Sequence, residues 1–269
     1  MSLSTQPPAF ETLALEVVDQ HVMIVRLNRP EVSNALNTQM GRDLVRFFED
    51  VALDPGSLRC IVLTGAGEKA FCAGGDLKER RGMTDEAWTR QHVIFERMAR
   101  ALIDCPVPII GAINGAAYGG GCEIAACCDF LYAADTARFA LTEVTLGIMP
   151  GSGGTQTLPR AVGERRAKEL ILTGKPFTSA QARDWGFVNE VFPLPDLLRE
   201  ALATASCIAR NAPISVRQAK LSIHRGLQSS LRDGLALEIE AYNRMVPTED
   251  RREGVLAFNE KRPPNFKGR

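Results

Sequence analysis

Residues 105–128 read CPVPIIGAINGAAYGGGCEIAACC, a run in which Glu123 is the only acid or base. The run is long enough to span a bilayer. Pro106, Pro108 and the glycines at 111, 115, 119, 120 and 121 argue against one continuous apolar helix. The stretch divides instead into a buried strand over 107–113, a tight turn and a buried helix over 119–128. A strand that is apolar on both faces belongs in a parallel sheet covered by helices, so this reading sets the fold class as α/β.

Working outward, 60–64 (CIVLT) is a second continuous apolar strand followed by Gly65-Ala66-Gly67, and Phe130–Ala134 is a third. A short strand over Ala70–Cys72 leads into the turn Ala73-Gly74-Gly75-Asp76. Upstream, the β-rich runs 12–18 and 21–28 flank Asp19-Gln20 as a hairpin would. Asn37-Thr38 caps a helix with Met40, Leu44, Phe47, Phe48 and Val51 on one face, and Asp54-Pro55-Gly56 ends it. A second amphipathic helix over Asp85–Ile103 turns Trp88, Phe95, Met98 and Leu102 inward. Beyond Pro195 the pattern is helical and more charged. The chain therefore reads as an α/β core over 1–195 followed by a helical region over 196–269. No strict repeat is visible, although apolar strand followed by glycine turn recurs at irregular intervals.

The 269 residues are 45% hydrophobic and carry 32 Lys plus Arg against 32 Asp plus Glu. A zero balance argues against holding nucleic acid or an anionic membrane through bulk charge. Three scattered histidines (His21, His92, His224) do not make a metal centre, and none is expected. The seven cysteines are odd in number and lack a Cys-x-x-Cys pair, so they read as buried free thiols in a reducing compartment. The N-terminus MSLSTQPPAF has no apolar signal core. A cytoplasmic location is expected.

Glycine-rich turns invite a nucleotide reading, but G-x-G-x-x-G, the P-loop pattern and the G-x-S-x-G elbow are all missing. What remains is a constellation: Ala73-Gly74-Gly75-Asp76, then Gly119-Gly120-Gly121-Cys122-Glu123, then Glu143 ahead of Gly151-Ser152-Gly153-Gly154. Glycine turns and helix starts leave backbone N–H groups unpaired. If the amides of Gly75 and Gly120 converge they form an oxyanion hole, worth roughly 3–4 kcal/mol per donor in a transition state. Glu123 sits one helical turn on and faces the same space. Taken singly, Glu123 also fits a helix-start carboxylate or half an ion pair, each glycine fits a φ requirement, and Glu143 fits a solvated loop.

Together the stretches AFCAGGDL (70–77), INGAAYGGGCEIAACCD (113–129) and ALTEVTLGIMPGSGGTQTLPR (140–160) resemble the crotonase family, specifically enoyl-CoA hydratases. LNRPEVSNALN (27–37) and AFNEKRPPNFKG (257–268) extend the similarity along the chain. The resemblance implies a crotonase-like spiral of ββα units with a C-terminal helical trimerisation region, assembling as a homotrimer or a hexamer of paired trimers. It carries the two oxyanion-hole amides to Gly75 and Gly120 and the two catalytic acids to Glu123 and Glu143. Acyl-CoA binding falls to the segment Ala73, Gly74, Gly75, Asp76, Leu77 and Lys78. Gly151 takes the position whose amide helps hold the reacting water. Many family members have Ala at the position of Gly75, a change that a backbone contact tolerates.

Implied, then, is reversible addition of water to a 2-enoyl-CoA thioester, with the coenzyme A of the substrate as the only cofactor and no metal. Glu123 would deprotonate water and Glu143 would protonate the α-carbon. Within the family, enoyl-CoA isomerase is the nearest alternative, but isomerases often keep only the acid matching Glu143. DLKER (76–80) and EKRPPNFKGR (260–269) are similar to the methylglutaconyl-CoA hydratase branch, which includes an RNA-binding member. The helix that could serve RNA, about 38–52, has Arg42 and Arg46 against Asp43, Glu49 and Asp50, so no nucleic-acid partner is expected. A catalytically silent assembly protein is disfavoured because both glutamates and both amide turns remain. Residues 251–269 hold a basic excess of four. Family analogues of Phe258 and Lys261 reach the coenzyme A of a neighbouring subunit, against the simpler alternative of a solvated tail.

Overall fold

In the computed structural model, which describes residues 9–269, the strands at 60–65 and 109–113 are buried along their whole length. The chain opens with an antiparallel hairpin of β1 (Leu13–Val17) and β2 (Val22–Leu27). It then enters α1 (Thr38–Leu53), where the Asn37 side chain accepts from the Met40 N–H at 2.9 Å. Such a cap satisfies an orphan amide and contributes about 1 kcal/mol.

From there β3 (Cys60–Gly65) and β4 (Ala70–Cys72) lead to α2 (Leu77–Arg80) and α3 (Asp85–Ile103). Next, β5 (Ile109–Ile113) and β6 (Ala116–Tyr118) lead to α4 (Gly120–Ala126). A third such turn has β7 (Phe130–Ala134), β8 (Arg138–Ala140), a 3₁₀ turn (Glu143–Leu146) and α5 (Gly154–Val162). The remaining elements are α6 (Glu164–Thr173), β9 (Phe177–Thr178), α7 (Ser179–Asp184), β10 (Glu190–Phe192), α8 (Leu194–Ala209), α9 (Pro213–Gly226), α10 (Leu231–Asn243) and α11 (Glu249–Glu260).

Strands β3, β5 and β7 lie side by side in a six-stranded sheet ordered β1-β2-β3-β5-β7-β10, parallel except at the opening hairpin. Their successors β4, β6 and β8 form a second sheet ordered β4-β6-β8-β9. Each turn of the chain thus gives one strand to each sheet and then a helix, which is a ββα spiral. The repeat is structural: the buried Asn114 ties neighbouring turns together, donating to the carbonyls of Gly65 (3.1 Å) and Gly67 (2.7 Å). The sequence predicts a turn over 114–118, but β6 occupies 116–118. Three-residue strands such as β6 and β8 are too short for periodicity to show.

One glycine is dictated by close approach. A Cβ on Gly121 would stand 2.2 Å from the Cys72 carbonyl oxygen, so α4 sits directly on β4. That contact brings the turn after β4 against the first residues of α4. On α3, Phe95, Met98 and Leu102 are buried as expected, whereas Trp88 is only half-buried. It stands at the rim, where its ring packs against Arg80.

Helix α8 covers the large sheet through Ala201, Ala205 and Ala209, whose small side chains let helix and strands approach closely. Helices α9 and α10 pack on each other and leave Ile223, Leu227, Leu231, Leu235 and Ile239 exposed. The C-terminal segment folds back on the chain. The buried Asp250 accepts from the amides of Lys267 (2.7 Å) and Gly268 (2.8 Å), and Arg59 donates to the Phe266 carbonyl. All seven cysteines are free thiols; five are buried, Cys128 is half-buried and Cys207 is exposed. No helix among the described residues is long and apolar enough to cross a membrane.

Candidate active site

The turn after β4, the start of α4, the 3₁₀ turn at Glu143 and the residues leading into α5 meet around one cavity of about 110 Å³. Ala73, Gly74, Gly75, Leu77, Gly120, Glu123, Glu143 and Gly151 all line it. Residues far apart in the chain converge here because three successive turns of the spiral end at the same side.

The turn amides are placed by backbone pairing. Leu36 donates to the Gly74 carbonyl (2.8 Å) and accepts from the Asp76 amide (2.9 Å), a parallel bridge that leaves the Gly75 N–H pointing the other way. Gly120 is the first residue of α4 and its amide precedes the helical ladder. Neither amide has a protein acceptor among the described residues. A Cβ placed on Gly120 would stand 3.8 Å from the Gly75 nitrogen, so the two turns are adjacent. Gly119, with φ of 50° and ψ of −124°, makes the reversal that joins β6 to α4.

Both glutamates are buried, Glu123 at 3% exposure and Glu143 at 9%. Glu123 Oε1 accepts from the amides of Ser152 (2.7 Å) and Gly154 (2.8 Å). Burial pushes the Glu123 carboxyl up to about 7; the Gly154 and Ser152 amides and the Arg80 charge oppose that rise, and Glu143 reinforces it. Burial raises Glu143 as well, with opposition from its own amide and from Arg80. Glu143 Oε2 is sealed from solvent and has no hydrogen-bond partner among the described residues. The two carboxyls titrate as an interacting pair. The two amide donors favour keeping negative charge on Glu123, and the unpartnered oxygen of Glu143 suits the proton.

Other sequence candidates stand elsewhere. Asp76 does not line the cavity: it caps α2 by accepting from the Lys78 and Glu79 amides, and it pairs with Arg29 at 2.9 Å. Lys78 is exposed, outside the cavity wall. Phe258 and Lys261 lie at the end of α11, away from this cavity. The basic excess of the tail is partly spent within it, since Arg262 pairs with Glu253 (2.7 Å) and Glu260 (2.6 Å) and Arg269 with Glu249 (3.0 Å).

Sequence reading missed Arg80 and His92, which both line the cavity. Arg80 lies one helical turn past the Asp76 cap, a spacing that could have placed it beside the glycine turn. The spacing of the histidines along the chain speaks to His92 only as a metal ligand. Its Nε2 accepts from Trp88 Nε1 (3.0 Å), which leaves Nδ1 as the protonated nitrogen, and burial and Arg80 lower its proton affinity. A Cβ on Gly151 would stand 2.8 Å from the His92 ring, so glycine is needed where this wall closes.

The spiral and its cavity define the crotonase fold, as solved structures bear out. The crystal structure of an enoyl-CoA hydratase from Bacillus anthracis superposes with a TM-score of 0.94 at 42% identity, covering 96% of this chain and 100% of that one. The chain belongs to the enoyl-CoA hydratase/isomerase family, whose model matches residues 18–269. The 2,3-dehydroadipyl-CoA hydratase of Escherichia coli K12 is 42% identical over 93% of this chain and 96% of its own length. A short-chain-enoyl-CoA hydratase of Clostridium acetobutylicum is 40% identical over 92% and 95%. The protein is thus an enzyme of the enoyl-CoA hydratase class.

Proposed function

We propose that the protein adds water reversibly, in syn fashion, across the double bond of a 2-enoyl-CoA thioester to give the 3-hydroxyacyl-CoA, using two glutamates and two backbone amides. The observation that carries this reading is the pairing of two buried carboxyls of raised proton affinity with two unengaged turn amides around one cavity. As water attacks the β-carbon, electrons of the double bond move onto the thioester oxygen. The Gly75 and Gly120 N–H groups are aimed to stabilise that enolate where it forms. Glu123 takes a proton from the attacking water, and Glu143 gives its proton to the α-carbon. Both transfers come from the same side of the substrate, which accounts for syn addition. The extra proton on Glu123 returns the pair to its starting state through solvent exchange. Gly151, whose amide has no protein acceptor among the described residues, is placed to hold the water.

Incubation with crotonyl-CoA is expected to bleach the enoyl thioester absorbance and yield 3-hydroxybutyryl-CoA. A 3-enoyl product in its place would turn the assignment to isomerase, and an unchanged substrate would remove both readings.

The same proposal extends to assembly and place. Phe258 is 84% exposed and Lys261 has no ion-pair partner among the described residues, as expected if a neighbouring chain's bound coenzyme A covers them. The exposed aliphatic residues of α9 and α10 favour a homotrimer or hexamer. The location that suits this protein is the cytoplasm. Sedimentation of the native protein should give a mass of three or six chains; a monomer overturns the assembly.

A further inference from the structure

Arg80 has no part in the hydration steps, yet among the described residues it is the only lysine or arginine lining the catalytic cavity. Its Nε donates to Gln91 Oε1 at 2.8 Å. Gln91 is buried and held in turn, donating at 2.8 Å to both Thr38 Oγ1 and Glu79 Oε2. The guanidinium carbon lies 4.6 Å from the centroid of the Trp88 ring and 5.7 Å from that of Phe95. Aromatic faces attract a guanidinium and fix its plane. These contacts use one of its five N–H donors. Nη1 and Nη2 have no hydrogen-bond or ion-pair partner among the described residues. Glu79, then Glu123 and Glu143, act on Arg80 through space, and none of the three accepts a bond from it. A half-buried cation normally finds a carboxylate. This one is hydrogen-bonded to an amide and packed on two rings, and its two Nη groups, without a bond partner among the described residues, belong to a side chain that lines the catalytic cavity.

We propose that Arg80 grips the far end of the acyl group, so that the preferred substrates are short 2-enoyl-CoA thioesters carrying a carboxylate on their last carbon. The inference rests on the hydratase reading of the same cavity. Carboxylate is the group that a planar fork with two free N–H ends matches bidentately. Short chains follow from distance. Arg80 Nη1 stands 3.2 Å from where a Cβ on Gly75 would be, and Gly75 supplies a proposed thioester-oxygen donor. The gripped carboxylate is therefore only a few carbons from the thioester.

The test compares kcat/KM for 2-enoyl-CoA thioesters of five and of six acyl carbons, each ending either in a carboxylate or in a methyl group. The wild-type enzyme is expected to favour the carboxylate member at one length or both by about 10–100-fold, the worth of charge-assisted hydrogen bonds. Arg80→Met should erase that preference mainly through KM, and Arg80→Lys should keep part of it. Equal kcat/KM for both members at both lengths in the wild-type enzyme overturns the proposal without needing a variant. It is equally overturned if Arg80→Met slows both members alike, with the loss in kcat and a shifted pH profile. Arg80 would then act only by lowering the proton affinity of the glutamates. Hydration of the methyl-ended thioesters reads the hydratase assignment separately: it can hold while the carboxylate preference fails. If none of the thioesters is hydrated, both fall together.

Discussion

Glu123→Gln is expected to lower kcat for hydration of crotonyl-CoA by about 10²–10⁴-fold, and Glu143→Gln by a similar factor. The substitution at 123 isolates the proton. A glutamine side chain still offers its oxygen to the Ser152 and Gly154 amides that now hold Glu123 Oε1, so the shape of the cavity is kept. What disappears is a base able to accept a proton from water. At 143 the argument runs through the donor. Glu143 Oε2 has no partner among the described residues, and an amide there cannot deliver a proton to the α-carbon. In the proposed mechanism the two groups serve one transition state, so the double variant should be little slower than the worse single one. Initial rates of absorbance loss, with far-ultraviolet circular dichroism to confirm folding, measure this. Full activity in either folded variant removes that carboxyl from the mechanism.

Much of this site could be read in the sequence because its parts are chemically rare. An acid inside an apolar run, as at Glu123, has few reasons to be there. Runs such as CIVLT and FLYAA show themselves as strands because parallel sheets bury both faces. Other parts were hidden for physical reasons. Glu143 looks like any loop glutamate, and only the convergence of three spiral turns buries it. Strands β6 and β8 are held by their neighbours in the second sheet, a tertiary effect that three residues cannot announce. Trp88 fitted the apolar face of α3 by spacing, but the nearby Arg80 gives its ring a better place at the rim. Arg80 itself, within DLKER, looks like an ordinary surface charge on a helix until α2 and α3 enclose it. Asp76 has a structural part that its place in a family binding segment does not announce: it caps a helix and forms an ion pair.

The carboxyl proposed as the base should also weaken the fold, with a sign that pH reveals. Burial holds the Glu123 carboxyl at about 7 against an ordinary 4.5. Below pH 4.5 the group is protonated in both native and unfolded chains and contributes no difference. As pH rises from there to about 7, the unfolded chain ionises first, and the native state loses stability relative to it. Above about 7 the loss is complete, at about 3 kcal/mol for a shift of this size. Glutamine has no proton to lose. Glu123→Gln should therefore gain on the wild type as pH rises, with the stability difference at about pH 8.5 exceeding that at 4.5 by about 3 kcal/mol. Comparing the two pH values cancels any constant effect of the amide on packing. Urea unfolding at fixed protein concentration, so that any assembly contributes equally, gives the numbers. A difference that stays flat across this range means that Glu123 is not held above the usual carboxylate range. The base of the reaction would then have to be sought elsewhere in the cavity. A rising difference of the expected size puts stability lost and proton affinity gained on the same buried group, as a site selected for catalysis rather than for stability requires.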